Sequence, residues 1–319
     1  MTNLISFGAV NWDTTLFVDS FPKPGEEVRV MKMSSVPGGT AGNIAVAAAR
    51  ILGGGKVGIL GAVGSDQIGQ RQIELFEREG VLVNGLQVVN SNESGQAFVT
   101  VNSKGENTVE TFFGANHLLD PEKAVGYIRS EMEKNSVLVV TDPPLTSVEP
   151  VLKAARSMDA KVIWDPGVWI SELAAKGWRL VEFADYMVLN SVEYKSVFES
   201  GRHPPEKLLA EVGANLKLVV KRGADGCEIH SDDGVKKIPS VRLEDHGYSV
   251  VNTTGCGDAF LGALGAALSL GLSDGQSLEI ANIAGAFKAT KSETRGSGTA
   301  RELSGFSKTV GLEFPLEEV

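Results

Sequence analysis

Short runs of apolar residues alternate with amphipathic stretches along most of the chain. Residues 4–10 and 57–63 are apolar runs with the length of buried strands, and residues 66–79 place apolar side chains at the spacing of an amphipathic helix. Further strand-length apolar runs occur at residues 136–140, 161–164, 185–189 and 218–221. Strands that alternate with helices build a parallel sheet from βαβ units. We therefore predict an α/β fold in which helices flank a central, mostly parallel sheet.

Two other regions have a different pattern. Residues 15–18 and 27–34 flank a turn rich in proline and glycine, and residues 96–102 and 107–113 flank the polar turn 103–106. Alternating apolar and polar positions in these segments predict half-exposed antiparallel strands. These strands differ in kind from the buried strands of the central sheet.

A polar, glycine-punctuated turn at residues 251–258 leads into residues 259–272, fourteen residues without a charge. This pattern predicts a loop that enters the start of a buried helix. The amides of Gly255, Cys256 and Gly257 then lack intrahelical partners, and the helix dipole adds positive charge, so this end is suited to an anion. Asp258 has two interpretations: it caps the helix, or it acts as a base beside the anion site.

Composition and charge narrow the class of protein. The 319-residue chain is long enough for a large core, its apolar and charged contents of 42% and 22% are ordinary, and its net charge is −10. The acidic balance argues against a nucleic-acid or membrane partner. The sequence shows no signal-peptide pattern and no apolar run of membrane-spanning length, so we expect a cytoplasmic protein.

Two motifs about two hundred residues apart resemble the signatures of one enzyme family. The first is Pro37-Gly-Gly-Thr-Ala-Gly-Asn43, followed by Gly61-Ala-Val-Gly-Ser-Asp-Gln-Ile-Gly69, and the second is Asn252-Thr-Thr-Gly-Cys-Gly-Asp258. In sequence, order and spacing they are similar to the motifs of the ribokinase-like (PfkB) carbohydrate and nucleoside kinases. The resemblance extends over residues 4–299 and implies a single ribokinase-like α/β domain over residues 1–319.

The resemblance assigns roles to residues at three places. Asp258 is the expected catalytic base, and the amides of Gly255, Cys256 and Gly257 are expected to hold the transferring phosphoryl group. The expected sugar contacts are Asn11, Asp13, Gly38, Gly39, Asn43 and Asp142. The expected nucleotide contacts are Asn190, Glu193, Lys221, Gly223, Gly226 and Asn282.

The resemblance also implies cofactors and partners. ATP is the expected phosphoryl donor, magnesium is expected to bridge its phosphates, and Glu193 is expected to act on the metal through water. The segments at about 14–36 and 95–114 are expected to form a small sheet that covers a sugar or nucleoside as a lid. The same lid is expected to supply the contact of a homodimer.

Two positions depart from the pattern of the family. Thr40 stands where the members most similar to ribokinase have a lysine, which leaves ribose itself in doubt. Asn252 replaces an aspartate that helps to bind a monovalent cation in relatives, which leaves activation by potassium in doubt.

Several of these residues also have purely structural interpretations. Asn190 and Glu193 have the spacing of a helix capping box. In its structural interpretation, Asp13 only begins a turn. Asp142 likewise only caps a loop. Lys221 would be a solvated lysine at the end of a strand.

Two other functional classes compete with a kinase. Residues 53–58 match the G-x-G-x-x-G pattern of NAD-dependent oxidoreductases, but they precede a predicted strand instead of joining a strand to a helix. A non-catalytic binding or regulatory module would not need Asp258 beside its glycines. We therefore predict an ATP-dependent kinase for a primary hydroxyl of a small sugar (ribose-, fructose- or sugar-acid-like), with a nucleoside kinase as the alternative.

Overall fold

The computed structural model describes residues 2–198, 205–213 and 215–316. The strands in chain order are β1 (Leu4–Gly8), β2 (Asn11–Val18), β3 (Val30–Gly38), β4 (Val57–Gly64), β5 (Leu86–Val89), β6 (Gly95–Val101), β7 (Asn107–Phe112), β8 (Val137–Thr141), β9 (Lys161–Asp165), β10 (Tyr186–Asn190), β11 (Lys217–Lys221), β12 (Cys227–Ser231) and β13 (Gly234–Ile238). The α-helices are α1 (Thr40–Leu52), α2 (Gln67–Arg78), α3 (Pro121–Glu131), α4 (Leu145–Ser157), α5 (Ile170–Ala175), α6 (Ser191–Phe198), α7 (Pro205–Val212), α8 (Cys256–Ser269), α9 (Asp274–Ala289) and α10 (Ala300–Thr309). Short 3₁₀ turns lie at Gly114–Leu118, Gly167–Trp169, Val181–Phe183, Gly223–Asp225 and Leu243–His246.

Within these residues, nine strands form one large sheet in the order β13-β12-β11-β10-β9-β8-β1-β4-β5. All pairs from β11 to β5 are parallel, which confirms the predicted mostly parallel α/β sheet. The pairs β11–β12 and β12–β13 are antiparallel. This edge hairpin was not predicted, because β13 has no continuous apolar run and is exposed at all positions except Ile238.

Helices cover both faces of the large sheet. Alternate residues of a strand point to opposite faces, so Val137 and Val139 of β8 pack in one core while Leu138 and Val140 pack in the other. The first core contains residues of α1, α2 and α8–α10, and the second contains residues of α3–α7. Burial on both faces explains why the sequence shows continuous apolar runs instead of alternation.

Helix α8 lies in the centre of the first core and packs closely against α1. A methyl group at Gly262 of α8 would lie 2.7 Å from Ala47 Cβ and 2.8 Å from the Ile44 carbonyl oxygen of α1. Only glycine therefore allows the two helix backbones to approach this far. Because α8 is surrounded by protein, it needs the uncharged sequence that the pattern of residues 259–272 indicated.

Four further strands of the described chain form a small sheet in the order β3-β2-β6-β7. Strands β2 and β3 are antiparallel, and so are β6 and β7, while β2 and β6 are parallel neighbours. Strand β1 ends at Gly8, two residues before the end of the apolar run 4–10, and Asn11 and Asp13 belong to β2. The small sheet thus begins directly beside the first strand of the large one.

Among the described residues, no helix combines the length and the apolar character needed to cross a bilayer.

Candidate active site

Many of the predicted site residues converge at the carboxyl-terminal edge of the large sheet. Asp142 follows β8, Asn190 is the last residue of β10, and Lys221 is the last residue of β11. Asp258 lies in the first turn of α8 and is linked to α1 by a hydrogen bond from Asn43. Parallel strands bring their ends to the same edge, and this is where ligands bind in open α/β sheets.

The turn before α8 has the backbone of a glycine-lined helix entrance. Gly255 is the N-cap residue with a left-handed φ of 84°, and a methyl group there would overlap the carbonyl of Thr294. A methyl group at Gly257 would come within 3.4 Å of Lys221 Nζ. The amide of Cys256 donates to the Thr253 carbonyl at 3.2 Å, so this amide is engaged within the loop. The helix entrance and a lysine therefore face the same space.

Asp258 is held in one orientation at this entrance. Asn43 Nδ2 donates to Asp258 Oδ2 at 2.7 Å. Burial raises the pKa of Asp258 to about 6, although the Asn43 hydrogen bond and the charge of Lys221 lower it. A carboxylate with this pKa is ionised at neutral pH and is a stronger base than an exposed aspartate. The N-cap residue of α8 is Gly255, and Asp258 lies inside the first turn, so Asp258 is not the capping residue of this helix.

The predicted sugar-side residues meet where the small sheet joins α1. A methyl group at Gly38 would overlap the Asp13 carboxylate, and one at Gly39 would lie 2.7 Å from the carbonyl oxygen of Ala9. Asn11 Oδ1 accepts from Asn116 Nδ2 at 2.8 Å, which fixes its amide. Asp13 is a residue inside β2, so it does not begin a turn.

Asp13 is an unusual carboxylate for a strand of a half-exposed sheet. Burial raises the pKa of Asp13 to about 6, and the charge of Arg295 lowers it. Arg295 links the surroundings of the two carboxylates, because it donates to the carbonyl of Gly38, which packs against Asp13, and to Asn43, which holds Asp258. The sugar side and the helix entrance are therefore parts of one site.

Asp142 contacts a different element from its own loop. Thr40 Oγ1 donates to Asp142 Oδ2 at 3.1 Å, which joins the end of β8 to the first residue of α1. The backbone φ of Asp142 is 43°, an uncommon value for a residue other than glycine. This contact places Asp142 beside the start of α1, next to the predicted sugar contacts Gly38 and Gly39.

Asn190 and Glu193 form the capping box that their spacing allowed. Asn190 Oδ1 accepts from the amides of Val192 and Glu193, and Glu193 Oε2 accepts from the amide of Asn190 at 2.7 Å. Burial, and next the charge of Asp165, raise the pKa of Glu193. Asn190 and Glu193 therefore have the structural role of a capping box, and the Glu193 carboxylate also interacts electrostatically with Asp165.

Lys221 is not the solvated lysine of the structural interpretation. Its Nζ donates to Asp165 Oδ2 at 2.7 Å, and its side chain is 17% exposed. Burial lowers the pKa of Lys221, but Asp165, Glu193 and Asp258 outweigh this effect and raise it. The lysine is thus a permanently charged group at the centre of the edge.

A cleft of about 850 Å³ extends from this edge between the ends of β10 and β11 and the helices α8 and α9. Its size falls in the range of small-molecule sites. The predicted nucleotide residues in its wall are Asn190, Lys221, Gly223, Gly226 and Asn282. The side chain of Asn282 is fixed, because its Nδ2 donates to the carbonyls of Ile238 and Pro239 at 3.1 and 3.2 Å.

A buried lysine supports the loop before α8. Lys288 is fully buried in α9, and its Nζ donates to the Asn252 carbonyl at 2.9 Å. Asn252 Nδ2 donates to the Ser292 carbonyl at 2.8 Å, and Asn252 Oδ1 accepts from the Thr254 amide at 2.9 Å. Burial lowers the pKa of Lys288. An ammonium group and an amide thus occupy the base of the helix entrance.

Comparison with known proteins identifies the family of this chain. The model of the pfkB family of carbohydrate kinases matches residues 1–300. The chain belongs to the PfkB family. It is similar to the ribokinase of Bacillus subtilis, with 29% identity over 283 residues that cover 88% of this chain and 89% of the relative. The ATP-dependent ribose-1-phosphate kinase of Halopiger xanaduensis is 28% identical over 320 residues, covering 96% and 98% of the two chains.

The fold supports the same assignment. The crystal structure of the ribokinase of Thermotoga maritima superposes with a TM-score of 0.82 at 26% identity, covering 97% of this chain and all of that one. As a PfkB carbohydrate kinase the protein is a phosphotransferase. The glycine-rich segment 53–58 lies between α1 and β4, which is the reverse of the order in a dinucleotide site.

Three residues of this PfkB site were not recognised from the sequence. Asp165 ends β9 just as other site residues end their strands, and this position was a usable signal. Lys288 was recognisable as the cation in the apolar second half of α9. Arg295 donates to Asn43 Oδ1 from a polar loop, and nothing in its local sequence indicates this contact.

The described residues contain no cluster of three or more side chains arranged to hold a metal by themselves. Magnesium in phosphoryl transfer is bound mainly by phosphates and water, with one or two carboxylates. Glu193 and Asp165 do not line the cleft, but both carboxylates interact with Lys221, which does, and their chemistry fits this requirement.

Proposed function

We propose that the protein is an ATP-dependent kinase that phosphorylates a primary hydroxyl of a small neutral sugar. The observation that carries the proposal is the position of Asp258. This carboxylate is oriented by Asn43 at the glycine-lined entrance of α8, between the carboxylate of Asp13 and the ammonium of Lys221. A base with this placement lies between the sugar side and the cleft.

In the proposed reaction, Asp258 accepts the proton of the acceptor hydroxyl, whose oxygen attacks the γ-phosphorus in line as ADP leaves. The amides of Gly255, Cys256 and Gly257 and the dipole of α8 stabilise the charge of the transferring group. The Cys256 amide must give up its contact with Thr253 to take part. Lys221 supplies a fixed positive charge beside the same group.

The sugar is proposed to lie against Asn11, Asp13, Gly38, Gly39, Asn43 and Asp142. Carboxylates and amide oxygens accept hydrogen bonds from hydroxyl groups. Two carboxylates and the lack of a lysine at Thr40 favour a neutral polyol over a sugar acid or a sugar phosphate, because an anionic substrate would be repelled. A furanose or an open-chain sugar with a CH2OH group fits this description.

The nucleotide is proposed to occupy the 850 Å³ cleft. Lys221, Gly223 and Gly226 would contact its phosphates, and Asn282 would lie near the base. Magnesium, when bound, would neutralise the phosphates, and Glu193 would hold it through water. Asn190 keeps the Glu193 carboxylate at this position through their reciprocal hydrogen bonds.

Potassium does not fit the base of the helix entrance. A monovalent cation requires oxygen ligands, but the Asn252 carbonyl accepts from the ammonium of Lys288 and the Asn252 side chain presents a donor to Ser292. A second cation beside Lys288 would be repelled. We therefore propose that activity does not require potassium.

The small sheet is proposed to act as a lid over the sugar within a single catalytic domain, and to form a homodimer through its outer face. By strand register, Met33, Phe98 and Phe112 lie on the face opposite to Asp13, and their side chains are 65%, 38% and 42% exposed. Exposed apolar side chains in one patch are typical of an interaction surface. With no nucleic-acid or membrane partner indicated, the proposed location is the cytoplasm.

A nucleoside is the second candidate for the acceptor. Its ribose would use the same polar residues, and its base would need space beneath the lid. The small sheet continues into α1 through Gly38 and Gly39, and an outward movement of this lid would make room for a larger substrate.

Release of ADP from ATP and magnesium tests both candidates. The acceptors are pentoses, hexoses, ketoses, sugar acids, ribose 1-phosphate and nucleosides, and Asp258→Asn protein measures the background. ADP formed only with neutral sugars supports the proposal, and ADP formed only with nucleosides supports the alternative. Release that is the same with and without every acceptor, or the same for both proteins, would contradict it.

A further inference from the structure

Arg295 lies in the loop between α9 and α10 and reaches into the site. Its Nε donates to Asn43 Oδ1 at 2.9 Å, and its terminal nitrogen Nη2 donates to the Gly38 carbonyl at 2.9 Å and to Gln72 Oε1 at 3.2 Å. The guanidinium lies 4.9 Å from the ring centre of the buried Phe76. The planar guanidinium is thus held on several sides, as its rigid fork of donors allows.

The contact with Asn43 decides which way its amide points. An asparagine amide has one accepting oxygen and one donating nitrogen. Because Arg295 donates to Oδ1, Nδ2 is directed to Asp258 Oδ2, at 2.7 Å. In the flipped orientation two donors would face each other at Arg295, and two acceptors would face each other at Asp258.

We propose that Arg295 is a positioning residue for phosphoryl transfer, which orients Asp258 through the amide of Asn43. The inference rests on the proposed role of Asp258 as the base. Arg295 does not need to touch either substrate for this role, because it acts on Asp258 through the amide of Asn43 and through its own charge.

The charge of Arg295 has a second consequence for Asp258. The groups that act on this carboxylate come from several elements: Asn43 of α1, Lys221 of β11, Asp165 of β9, Asp13 of β2, Lys288 of α9 and Arg295 itself. Asp165 and Asp13 raise its pKa, whereas the three cations favour its ionised form. Loss of Arg295 therefore raises the pKa of Asp258 and leaves less of the base ionised.

The first test measures ADP release between pH 5 and 9 for Arg295→Met, Asn43→Ala and the double variant, with the acceptor found for the wild type. Misplacement of a catalytic group costs roughly 100-fold in kcat, and we expect about this loss for Arg295→Met. The acidic limb of kcat/KM should move to higher pH, because a cation that favours ionised Asp258 is lost. If Arg295 acts through Asn43, the double variant should lose little more kcat than Asn43→Ala alone.

A matched control is available in Arg50. This arginine donates to the carbonyls of Arg295 and Ser297 and pairs with Glu79, so it supports the same loop without contacting Asn43. Arg50→Met should lower the melting temperature and leave the acidic limb where it is in the wild type. If Arg295→Met behaves like Arg50→Met, Arg295 is only structural.

The second test does not depend on turnover. A ¹³C NMR titration of labelled aspartate carboxyls, with Asp258 assigned by the signal lost in Asp258→Asn, measures its pKa directly. The pKa should rise in Arg295→Met. An unchanged pKa together with fully multiplicative losses in kcat would overturn the proposal. A wild-type protein without kinase activity would instead overturn the proposed function, whatever the titration shows.

Arg295→Lys keeps the inference testable if Arg295→Met does not fold. A lysine keeps the charge but cannot donate to Asn43, Gly38 and Gln72 with a rigid fork. The acidic limb should then stay near that of the wild type while kcat falls about tenfold, the loss expected from one weakened hydrogen bond. Wild-type kcat in this variant would contradict the positioning role.

Discussion

The two sheets of the molecule differ in what surrounds them. The central strands of the large sheet are covered by helices on both faces, and β8 is buried along its whole length. In the small sheet, β7 is exposed at every position, and Met31 and Met33 of β3 are more than 60% exposed (69% and 65%). The large sheet is therefore a rigid scaffold that fixes Asp258 and Lys221, whereas the small sheet is a cover that is largely exposed to solvent.

The two sheets meet at Asn11, Asp13 and Gly38, where the sugar is proposed to lie. Changes on the large-sheet side should therefore alter the chemical step, changes at the junction should alter sugar binding, and changes on the outer face of the small sheet should alter association only. The following predictions test this division, from the largest expected effect to the smallest.

Asp258→Asn removes the proposed base from the scaffold. General-base catalysis contributes about 10²–10⁴-fold, so kcat for ADP release should fall by at least 100-fold. The pKa of Asp258 is raised from 3.8 to about 6, so its ionisation destabilises the folded protein progressively as the pH rises between these two values, and the loss is complete above about pH 6. The variant should therefore melt at a higher temperature than the wild type at pH 8, and this gain should shrink at pH 5.

Asp274→Asn is the matched control for that variant. Burial raises the pKa of Asp274, but hydrogen bonds from Lys217 and Tyr186 outweigh it and lower the pKa. The ionised form therefore stabilises the fold at neutral pH, and the substitution should lower the melting temperature while kcat is kept. A parallel response of the two variants would contradict the assignment of Asp258.

Gly38→Ala tests the junction. The added methyl group overlaps the Asp13 carboxylate, which has to move. Loss of a hydrogen bond to a charged group costs about 1.5–3 kcal/mol, so KM for the sugar should rise roughly 10- to 100-fold. KM for ATP should change little. Gly126→Ala, in the open surface of α3, serves as the control and should leave both constants unchanged.

Met33→Glu tests the outer face of the small sheet. If this face forms the homodimer, a buried charge should raise the dimer dissociation constant at least tenfold, as measured by analytical ultracentrifugation. The stability of the protomer should change by no more than about 0.5 kcal/mol, as is usual at exposed positions. Val235→Glu on the edge strand β13, where Val235 is 55% exposed, should leave the association state unchanged.

Exchange of sodium for potassium should have the smallest effect. With Lys288 donating to the Asn252 carbonyl, kcat/KM should be the same in NaCl and KCl at equal ionic strength. Activation by potassium alone, and not by sodium, would show that the ammonium of Lys288 does not take the place of a bound cation.

The sequence predicts the strands of the two sheets better than it predicts the contacts between residues that are distant in the chain. Continuous apolar runs identify β1, β4 and β8–β11, because strands buried on both faces must be apolar. Hairpin turns identify β2–β3 and β6–β7. The edge hairpin β12–β13 was not predicted, because β13 is exposed at four of its five positions and has no continuous apolar run.

Within the site, residues in local motifs are recognisable, and residues that act from a distance are not. Asp258 and Asn43 belong to two motifs, but their hydrogen bond joins positions 215 residues apart. Arg295 reaches Asn43 over 252 residues, and only the packing of the loop after α9 determines that contact. Asn190 and Glu193 form a capping box, and the same spacing also predicts a nucleotide contact, so the local pattern cannot by itself distinguish a cap from a ligand.

The close packing of α1 against α8 at Gly262 has a consequence for how such an enzyme diversifies. Asn43 and Asp258, which are proposed to set up the reaction, are carried by neighbouring helices whose separation is fixed by backbone contact in the core. Several of the residues proposed to bind the acceptor are carried by β2 and β3, outside that core. With this arrangement, we expect mutations to change the preferred acceptor in small steps while the groups proposed for phosphoryl transfer stay in place.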